Sequence, residues 1–461
     1  MEYAQTLEAG WDALRQSMSI ISYQGQPVGT VAASDTTTEA LNYDQCFTRD
    51  FAISALAFLL KGEADIVRHF LKTTLKLQSH EKRLSCFNPG MGVMPASFKV
   101  LQTADGEQLD VDFGEQAIAR VAPIDAVFWW LILLRAYTKA TQDTTFASSE
   151  EVQEGMRIIL DLCLTNHFNM FPTLLVPDGS FMVDRRMGVY GYPLDIQVLF
   201  FAALRSAKEL LQPTPENKDY IEVIDQRLSR LAYYVRQYYW LDLPQLRQIY
   251  RYDSEEFGYT AMNQFNIQAE AIPRWVEGWV ARSGGYFVGN LGPGRMDFRW
   301  FTQGNLLSTV VALAEDEQSH AIFNQLEERW LDLVNEMPLK VCFPALEGRD
   351  WELVTGHDPK NVPWSYHNAG SWPFMLVWLA AAAVKLERTE VAHRAMAIAA
   401  ERLADDKWPE YYDGYHGRLI GKEARLLQTW TIAGFLAAHQ LLQSPEKLAW
   451  LSFEGTVAAA C

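Results

Sequence analysis

The sequence predicts an all-α protein built as a closed double ring of helical hairpins, and three patterns support this fold. Six segments are apolar almost all round, which is typical of buried helices. Six amphipathic segments alternate with them, as helices that cover a buried layer would. Each apolar segment also begins with a short polar stretch. In such a ring the polar starts would gather at one end, and we expect the functional site there.

The amphipathic helices are predicted at regular points along the chain. The first lies between Tyr3 and Met18, and the others lie near residues 63–78, 149–164, 216–240, 317–335 and 388–404. The apolar helices follow polar starts at Asn42, Pro123, Tyr192, Phe301, Asn368 and Ala424. The spacing of these units, roughly 55–105 residues, is too irregular for a solenoid of short repeats.

Loops rich in glycine, proline and aromatic residues separate the helices at 84–100, 167–192, 243–300, 342–368 and 408–423. No low-complexity linker divides the chain. The sequence therefore predicts a single domain over residues 1–461.

Composition narrows the class of partner. A chain of 461 residues that is 49% hydrophobic can bury a large core. Its net charge of −17 argues against a nucleic-acid or anionic-membrane partner, because both require a basic surface. The charge fits a neutral or cationic ligand. The many Trp and Tyr residues are compatible with stacking on sugar rings, although such residues more often fill a core.

The expected compartment is a reducing cytoplasm. The N-terminal sequence shows no signal peptide, and no apolar run is long enough to span a bilayer. The five cysteines are odd in number and lack C-x-x-C spacing, so we expect neither a disulfide framework nor a metal site. The long, partly apolar helical exterior favours a homo-oligomer.

Five clusters of polar and aromatic residues stand at the starts of apolar helices. They are Arg49-Asp50, Asn88-Pro89-Gly90, Asp184-Arg185-Arg186, His367-Asn368 preceded by Trp364 and Tyr366, and Glu410. Each alone is equally consistent with a cap, an ion pair or a packing corner. Their expected gathering at one end of the ring favours a site. Two carboxylates, an arginine and aromatic rings without a cofactor motif suggest glycoside hydrolysis, with no metal and no cofactor.

The sequence resembles the alkaline/neutral invertases of glycoside hydrolase family 100 essentially from end to end. The resemblance is carried by NYDQCFTRDF, FNPGMGVMPASFKV, FGEQAIARVAPIDAVFWW, MVDRRMGVYGYPLDIQ, FRWFTQGNLLS, PWSYHNAGSWPF and WPEYYDG. It implies an (α/α)6 barrel that hydrolyses sucrose to glucose and fructose with inversion. By the same resemblance Asp184 is the general acid, Glu410 is the general base, and Arg49 with Asp50 holds glucosyl hydroxyls.

Further substrate contacts are expected from other residues of these motifs, namely Arg185, Arg186, Tyr190, Gln197, Trp364, His367, Trp372 and Tyr412. The two arginines beside Asp184 pose a problem, because a nearby guanidinium lowers the pKa of a carboxyl. Desolvation and the charge of Glu410 would have to outweigh them. We expect one arginine to point away or to contact the sugar.

Three alternatives stay open at the level of sequence. Another inverting α-glucosidase, such as a trehalase, would share the fold and the paired carboxylates. An isoprenoid cyclase or prenyltransferase would need an aspartate-rich signature that Asp110-Val111-Asp112 and Asp405-Asp406 do not supply. A helical scaffold without catalytic activity would leave the clustered acids and aromatics unexplained.

Overall fold

The computed structural model describes residues 3–35, 42–81, 84–85, 88–116, 120–164, 172–251, 267, 269–292 and 295–459. The motif residues 87 and 117–119 and the loop residues 86, 167–171, 252–266, 268 and 293–294 therefore lie outside the described part.

The described residues form helices over most of their length. The α-helices are α1 (Ala4–Arg15), α2 (Thr48–Lys61), α3 (Asp65–Lys76), α4 (Asp125–Thr141), α5 (Thr144–Ala147), α6 (Glu150–Cys163), α7 (Leu194–Leu210), α8 (Pro215–Tyr234), α9 (Leu243–Arg251), α10 (Arg274–Trp279), α11 (Thr302–Val310), α12 (Asp316–Glu328), α13 (Trp330–Leu333), α14 (Gly348–Thr355), α15 (Leu376–Lys385), α16 (Thr389–Ala400) and α17 (Thr429–Gln443). A π-helical turn, Val235–Tyr239, extends α8.

Six of these helices form the apolar layer that the sequence predicts. They are α2, α4, α7, α11, α15 and α17, and most of their residues are buried. Each packs against the next in chain order, and α17 packs against α2. Propensity explains α15, whose LVWLAAAA sequence is strongly helix-forming and buried throughout.

The predicted amphipathic helices are also present, as α1, α3, α6, α8, α12 and α16. Helix α3 illustrates the pattern, since Ile66, Val67, Phe70 and Leu71 are buried while Lys72 and Lys76 face solvent. Five of the six contact at least one inner helix: α1 meets α17, α16 meets α15, α3 meets α2, α8 meets α7 and α12 meets α11. Buried apolar residues from Trp11 to Phe453 form one continuous core.

The all-α prediction is incomplete, because short antiparallel strands lie in the loops. The strands are β1 (Ile20–Tyr23), β2 (Gln26–Thr30), β3 (Cys46–Phe47), β4 (Leu84–Ser85), β5 (Asn88–Pro89), β6 (Ser97–Thr103), β7 (Gly106–Asp112), β8 (Tyr192–Pro193), β9 (Trp240–Asp242), β10 (Gly285–Gly292), β11 (Arg295–Phe301) and β12 (Cys342–Phe343).

The largest sheet orders its strands β12-β11-β10-β8, with β9 also paired to β10. It connects the segments that precede α7, α11 and α15. The first six residues of β10 are all buried, so this strand lacks the alternation that marks a strand exposed on one face. The loop region 243–300 was therefore not recognised as containing a hairpin.

Candidate active site

Three consecutive inner helices carry an aspartate in their first turn. These residues are Asp50 in α2, Asp125 in α4 and Asp195 in α7. A helix N-terminus presents unpaired N–H groups and a positive partial charge, which stabilises a carboxylate. The ends of these helices therefore concentrate acidic groups on one side of the molecule.

Arg49 links two of these helices and reaches the predicted acid. Its Nε lies 2.5 Å from Asp125 Oδ2 and its Nη2 lies 3.1 Å from Asp125 Oδ1, which makes a two-pronged pair. Asp125 is completely buried. The third guanidinium nitrogen, Nη1, lies 3.6 Å from Asp184 Oδ2.

Asp184 has a pKa raised to about 6. Burial among the surrounding loops is the main cause, and the charges of Glu410 and Asp125 raise the pKa further. The Arg49 guanidinium acts in the opposite direction. The carboxyl is still reachable, because 39% of its side-chain surface is accessible. The result is an acid that retains its proton much closer to neutrality than an ordinary aspartate does.

Neither arginine beside Asp184 in the sequence forms its ion pair. Arg185 Nε instead lies 2.6 Å from Asp358 Oδ2, and this pair holds the loop that precedes Lys360. Arg186 is exposed and has a φ of 36°. The arginine that pairs with Asp184 is instead Arg49, which is distant from it in sequence.

Asp50 belongs to the same acidic group. Burial raises its pKa to about 7, and the charges of Glu410, Asp184 and Asp125 also raise the pKa. Arg49 lowers it. Asp50, Asp184 and Glu410 thus act on one another electrostatically, although they come from three distant parts of the chain.

Glu410 is almost completely buried, with 3% of its surface exposed. Its Oε1 accepts a hydrogen bond of 2.9 Å from the Tyr43 hydroxyl. Its Oε2 lies 3.6 Å from Lys360 Nζ and has no hydrogen-bond partner among the described residues. The Glu410 N–H donates to the carbonyl of Arg425 at 2.7 Å, which fixes the backbone.

His367 lies beside the predicted acid, with its Nδ1 3.7 Å from Asp184 Oδ1. The ring packs against Tyr366 and Trp372, at centroid distances of 4.0 and 5.3 Å. Burial and the nearby cations hold the pKa of His367 well below its usual value, so the imidazole is neutral. It therefore borders Asp184 without adding a charge.

The segments that carry these groups contain residues in the left-handed region. Trp364, Tyr366 and Ala369 have φ values of 65°, 49° and 69°. Lys407 and Trp408, just before Glu410, have φ values of 60° and 54°. Such conformations cost energy in residues other than glycine and cluster at functional sites.

The other expected contact residues lie in varied places. Tyr190 is half-exposed and lines a cleft of about 150 Å³ that also borders Asp297 and Arg299. Trp372 is buried behind His367. Trp364 donates its indole N–H to Glu347 at 2.8 Å.

Two expected contact residues are fully buried and bonded to other groups. The Gln197 amide forms two hydrogen bonds of 2.9 Å with the backbone of Leu174. The Tyr412 hydroxyl donates to Asp406 at 2.9 Å. Both side chains thus have structural contacts that account for their burial.

Three residues at the site were not singled out from the sequence. Asp125 stands in the polar start of an apolar helix and could have been found by the signal that pointed to Asp50. Tyr43 and Lys360 lie in loops without periodicity, and only the folded chain brings them to Glu410. In the described part of the chain, no group of His, Cys, Asp and Glu residues is arranged to hold a metal ion.

Comparison with known proteins gives a consistent match. The sequence model of a family described as "Alkaline and neutral invertase" matches residues 10–445. The chain is 54% identical to "Probable alkaline/neutral invertase D" of Arabidopsis thaliana, covering 96% of this chain and 83% of that protein. It is 54% identical to "Cytosolic invertase 1" of Oryza sativa subsp. japonica, covering 96% and 79%. It is 53% identical to "Alkaline/neutral invertase C, mitochondrial" of Arabidopsis thaliana, covering 96% and 68%.

Solved structures resemble the fold at low sequence identity. A rhamnosidase from Klebsiella oxytoca with rhamnose bound superposes with a TM-score of 0.56 at 13% identity, over 94% of this chain and 63% of that chain. A bacterial glucoamylase complexed with acarbose gives a TM-score of 0.53 at 10% identity, over 97% and 56%. At these identities the likeness concerns the fold alone. Within the described residues, no helix is both long enough and apolar enough to cross a membrane.

Proposed function

The chain belongs to the family of alkaline and neutral invertases and is a glycoside hydrolase, and from that premise we propose that it hydrolyses the α-1,2 bond of sucrose with inversion. One observation of the site carries the proposal. Two carboxylates in contrasting surroundings, Asp184 and Glu410, act on each other electrostatically at the same end of the inner helices. Paired carboxyl groups with different environments are what acid–base hydrolysis of a glycoside requires.

Asp184 is the proposed general acid. Its pKa of about 6 keeps the protonated form accessible near neutrality. In the reaction its proton passes to the bridging oxygen, which leaves with fructose as the bond to the glucosyl carbon breaks. The accessible surface of the side chain is consistent with direct contact with substrate.

Glu410 is the proposed general base. It takes a proton from a water molecule, and the oxygen of that water bonds to the anomeric carbon on the face opposite the leaving group. This geometry requires space for water, and we predict a separation of about 6.5–9.5 Å between the two carboxyl groups. The product is then β-glucose.

We assign the glucosyl unit to the surroundings of Asp184, next to Arg49, Asp50 and His367. Arg49 is held rigidly by Asp125, so its remaining nitrogen has a fixed position for a ligand oxygen. His367 is neutral and flanked by aromatic rings. A neutral, hydroxyl-rich ring suits such surroundings. The other motif residues named above remain candidates for further contacts.

We further propose that the whole chain is one catalytic domain with the (α/α)6 barrel fold. The succession of contacts from α2 through α17 and back to α2 supports a closed inner ring. The single continuous core supports one domain. Sucrose is the proposed small-molecule partner, with no cofactor.

A homo-oligomer and a cytoplasmic location complete the proposal. Exposed leucines support an oligomer: Leu331, Leu353 and Leu419 are each at least 70% accessible. Light scattering coupled to size-exclusion chromatography tests it, and a mass near 52.5 kDa would contradict it. The curated relatives include cytosolic, mitochondrial and chloroplastic proteins, so cell fractionation must test the location.

The decisive experiment combines a substrate panel with product stereochemistry. Sucrose, trehalose and maltose are each incubated with the protein, and released glucose is measured. We expect turnover of sucrose and little of the other two. NMR spectra recorded before mutarotation should show β-glucose.

Turnover of trehalose in preference to sucrose would instead identify a different inverting α-glucosidase. An initial α anomer, or glucosyl transfer to added methanol, would indicate a covalent intermediate and a nucleophilic Glu410.

A further inference from the structure

We propose that Tyr43 and Lys360 are positioning residues for the general base. Tyr43 fixes Oε1 of Glu410, and this leaves Oε2, beside Lys360, as the oxygen that receives the proton of the attacking water. The inference rests on the proposed function and adds the residues that make one carboxylate oxygen reactive.

The Tyr43 hydroxyl is a fixed donor to Glu410. It lies 2.9 Å from Oε1, within the range of a good hydrogen bond. Burial and the charge of Glu410 hold the pKa of Tyr43 well above its usual value, so the phenol keeps its proton. The Arg425 guanidinium lies 5.2 Å from the centre of the Tyr43 ring and packs over it. Within the described part of the chain, the Tyr43 hydroxyl thus donates to Glu410, and this bond sets its orientation.

The second oxygen of Glu410 is buried and forms no hydrogen bond with any residue that the structure describes. A buried acceptor without a donor is rare and costs free energy, which a site tolerates when a ligand supplies the missing donor. A water O–H is such a donor. In the reaction this O–H bond breaks, the proton passes to Oε2, and the water oxygen bonds to the anomeric carbon. The electron pair of the broken glycosidic bond stays with the bridging oxygen, which takes the proton of Asp184.

Lys360 supplies the positive charge next to Oε2. Its Nζ lies 3.6 Å from that oxygen, too far for a hydrogen bond but close enough for an ion pair. The ammonium lies 4.0 Å from the centre of the Tyr366 ring and 5.9 Å from that of Tyr411, which holds it in place by cation–π contacts. Lys360 therefore places a positive charge beside Oε2 without occupying the oxygen that must accept a proton.

The variant Tyr43→Phe tests the first half of the proposal, because it removes one hydroxyl and keeps the ring. Hydrogen bonds to charged groups contribute enough for a loss of about 10- to 100-fold in kcat. KM should change little, since Tyr43 acts through Glu410. The matched control is Tyr137→Phe. Its hydroxyl also donates to an aspartate at 2.9 Å, but it lies near the other end of α4. We expect the control to keep its kcat.

A double variant separates a positioning role from a structural one. In the Glu410→Gln background, Tyr43→Phe should cause no further loss of kcat, because the group on which it acts has lost its function. A full additional loss in that background would overturn the proposal. So would a single Tyr43→Phe variant with wild-type kcat.

Lys360→Met and Lys360→Arg test the second half. Both keep much of the buried stem, but only the arginine keeps the charge. We expect kcat to fall at least tenfold in the methionine variant and to be partly restored in the arginine variant. Equal losses in the two variants would show that charge is not the reason for the effect.

The pH profile gives an independent readout for Lys360. The charges of Arg49 and Lys360 lower the pKa of Asp184, whereas the charges of Glu410 and Asp125 raise it. Removing the ammonium therefore raises the pKa of Asp184. The alkaline limb of kcat/KM, where the acid loses its proton, should move to higher pH in Lys360→Met but not in Lys360→Arg. A limb that stays in place would count against the assigned role.

Failure of this inference can be told from failure of the proposed function. If the wild-type protein prefers another α-glucoside, the same variants are measured with that substrate, and the double variant still reports on Tyr43. If Glu410→Gln alone keeps full activity, Glu410 is not the base, and the inference falls with that assignment. If Glu410→Gln is inactive but Tyr43→Phe and Lys360→Met are normal, only the inference fails.

Discussion

The Asp184 side chain shows how a group proposed for catalysis can oppose stability. Its pKa rises from an ordinary 3.8 to about 6 in the folded protein, because burial disfavours the charged form. In the unfolded chain the group ionises at lower pH than in the folded one. The raised pKa therefore lowers the free energy of unfolding at pH values above 6 and has no effect below pH 3.8. Between these values the loss of stability grows as the pH rises.

We expect Asp184→Asn to gain stability while it loses activity. The amide removes a partly buried charge, so the thermal unfolding midpoint should rise at pH 8. The gain should shrink as the pH is lowered toward 5, where the wild-type carboxyl takes up its proton. Differential scanning calorimetry at several pH values measures this. A gain that is independent of pH would mean that the charge of Asp184 is not its source.

The loss of turnover is a separate prediction for both carboxylates. Asp184→Asn and Glu410→Gln should each reduce kcat by at least roughly 10²-fold, the low end for general acid–base catalysis. Circular dichroism should confirm that both variants are folded. Near-normal hydrolysis of sucrose by either variant would remove that residue from its proposed role.

Asp50→Ala should impair turnover severely but alter thermal stability far less. A site that binds sugar hydroxyls through polar side chains loses much of its activity when the side chain that pairs with one hydroxyl is removed. The pKa of Asp50 is raised to about 7, so the charged carboxylate destabilises the folded protein. Removing the carboxyl also removes its repulsion with Asp184 and Glu410. A variant that unfolds readily, while its folded fraction turns over normally, would make Asp50 structural.

Whether a site residue can be predicted from the sequence depends on whether a helix or a loop carries it into the site. Asp50 and Asp125 could be anticipated, because both begin apolar helices and such helices meet at their polar ends. Lys360 could not, because it follows Pro359 in a loop and its meeting with Glu410 depends on backbone conformation. Arg185 was misleading for the same reason: its neighbour in sequence is Asp184, but its partner in space is Asp358.

At the scale of elements, Arg49 and Asp125 join the N-terminal ends of α2 and α4. Both members of the pair are largely or wholly buried, with side-chain exposures of 13% and 0%. Removing one partner of a buried ion pair leaves the other charge uncompensated. The pair thus fixes the register of two inner helices and the direction of Arg49 toward Asp184.

We therefore expect Asp125→Ala to lower the free energy of unfolding by about 3–5 kcal/mol, the range for breaking a buried pair. Urea denaturation measures the change. The control is Asp110→Ala, which removes a more exposed pair with Lys99 at 3.8 Å and should cost at most about 1 kcal/mol. Similar losses in both variants would show that the Arg49–Asp125 pair has no special part in joining the helices.

Element prediction succeeded where the apolar pattern was strong. The outer helices were recognised by an apolar face that repeats along the helix, and the inner helices because they are apolar almost all round. The hairpin of β10 and β11 was missed because most of β10 is buried on both faces, and two of its three pairing partners, β8 and β9, are distant in sequence. Tertiary hydrogen bonding, not local pattern, makes this segment a strand.

At the scale of the whole molecule, the C-terminal segment lies at the end of the inner helices away from the site. Arg135 and Arg205 each stand ten residues beyond the aspartate that begins their helix, or about 15 Å along it. Together with Arg236 they donate hydrogen bonds to carbonyl oxygens between residues 450 and 457. The guanidinium groups of Arg135 and Arg205 also pack on the Phe453 ring, at 3.9 and 4.5 Å from its centre.

This arrangement predicts that the segment stabilises the fold without taking part in catalysis. Phe453 is 5% exposed, so Phe453→Ala should lower the free energy of unfolding by about 3–5 kcal/mol. Because the site lies at the opposite ends of α4 and α7, kcat and KM should stay close to wild type at temperatures where the variant is folded. The control Met18→Ala alters an exposed side chain and should change stability by no more than about 0.5 kcal/mol. A Phe453→Ala variant that lost activity while keeping its stability would show that the two ends of the inner helices are coupled, contrary to this prediction.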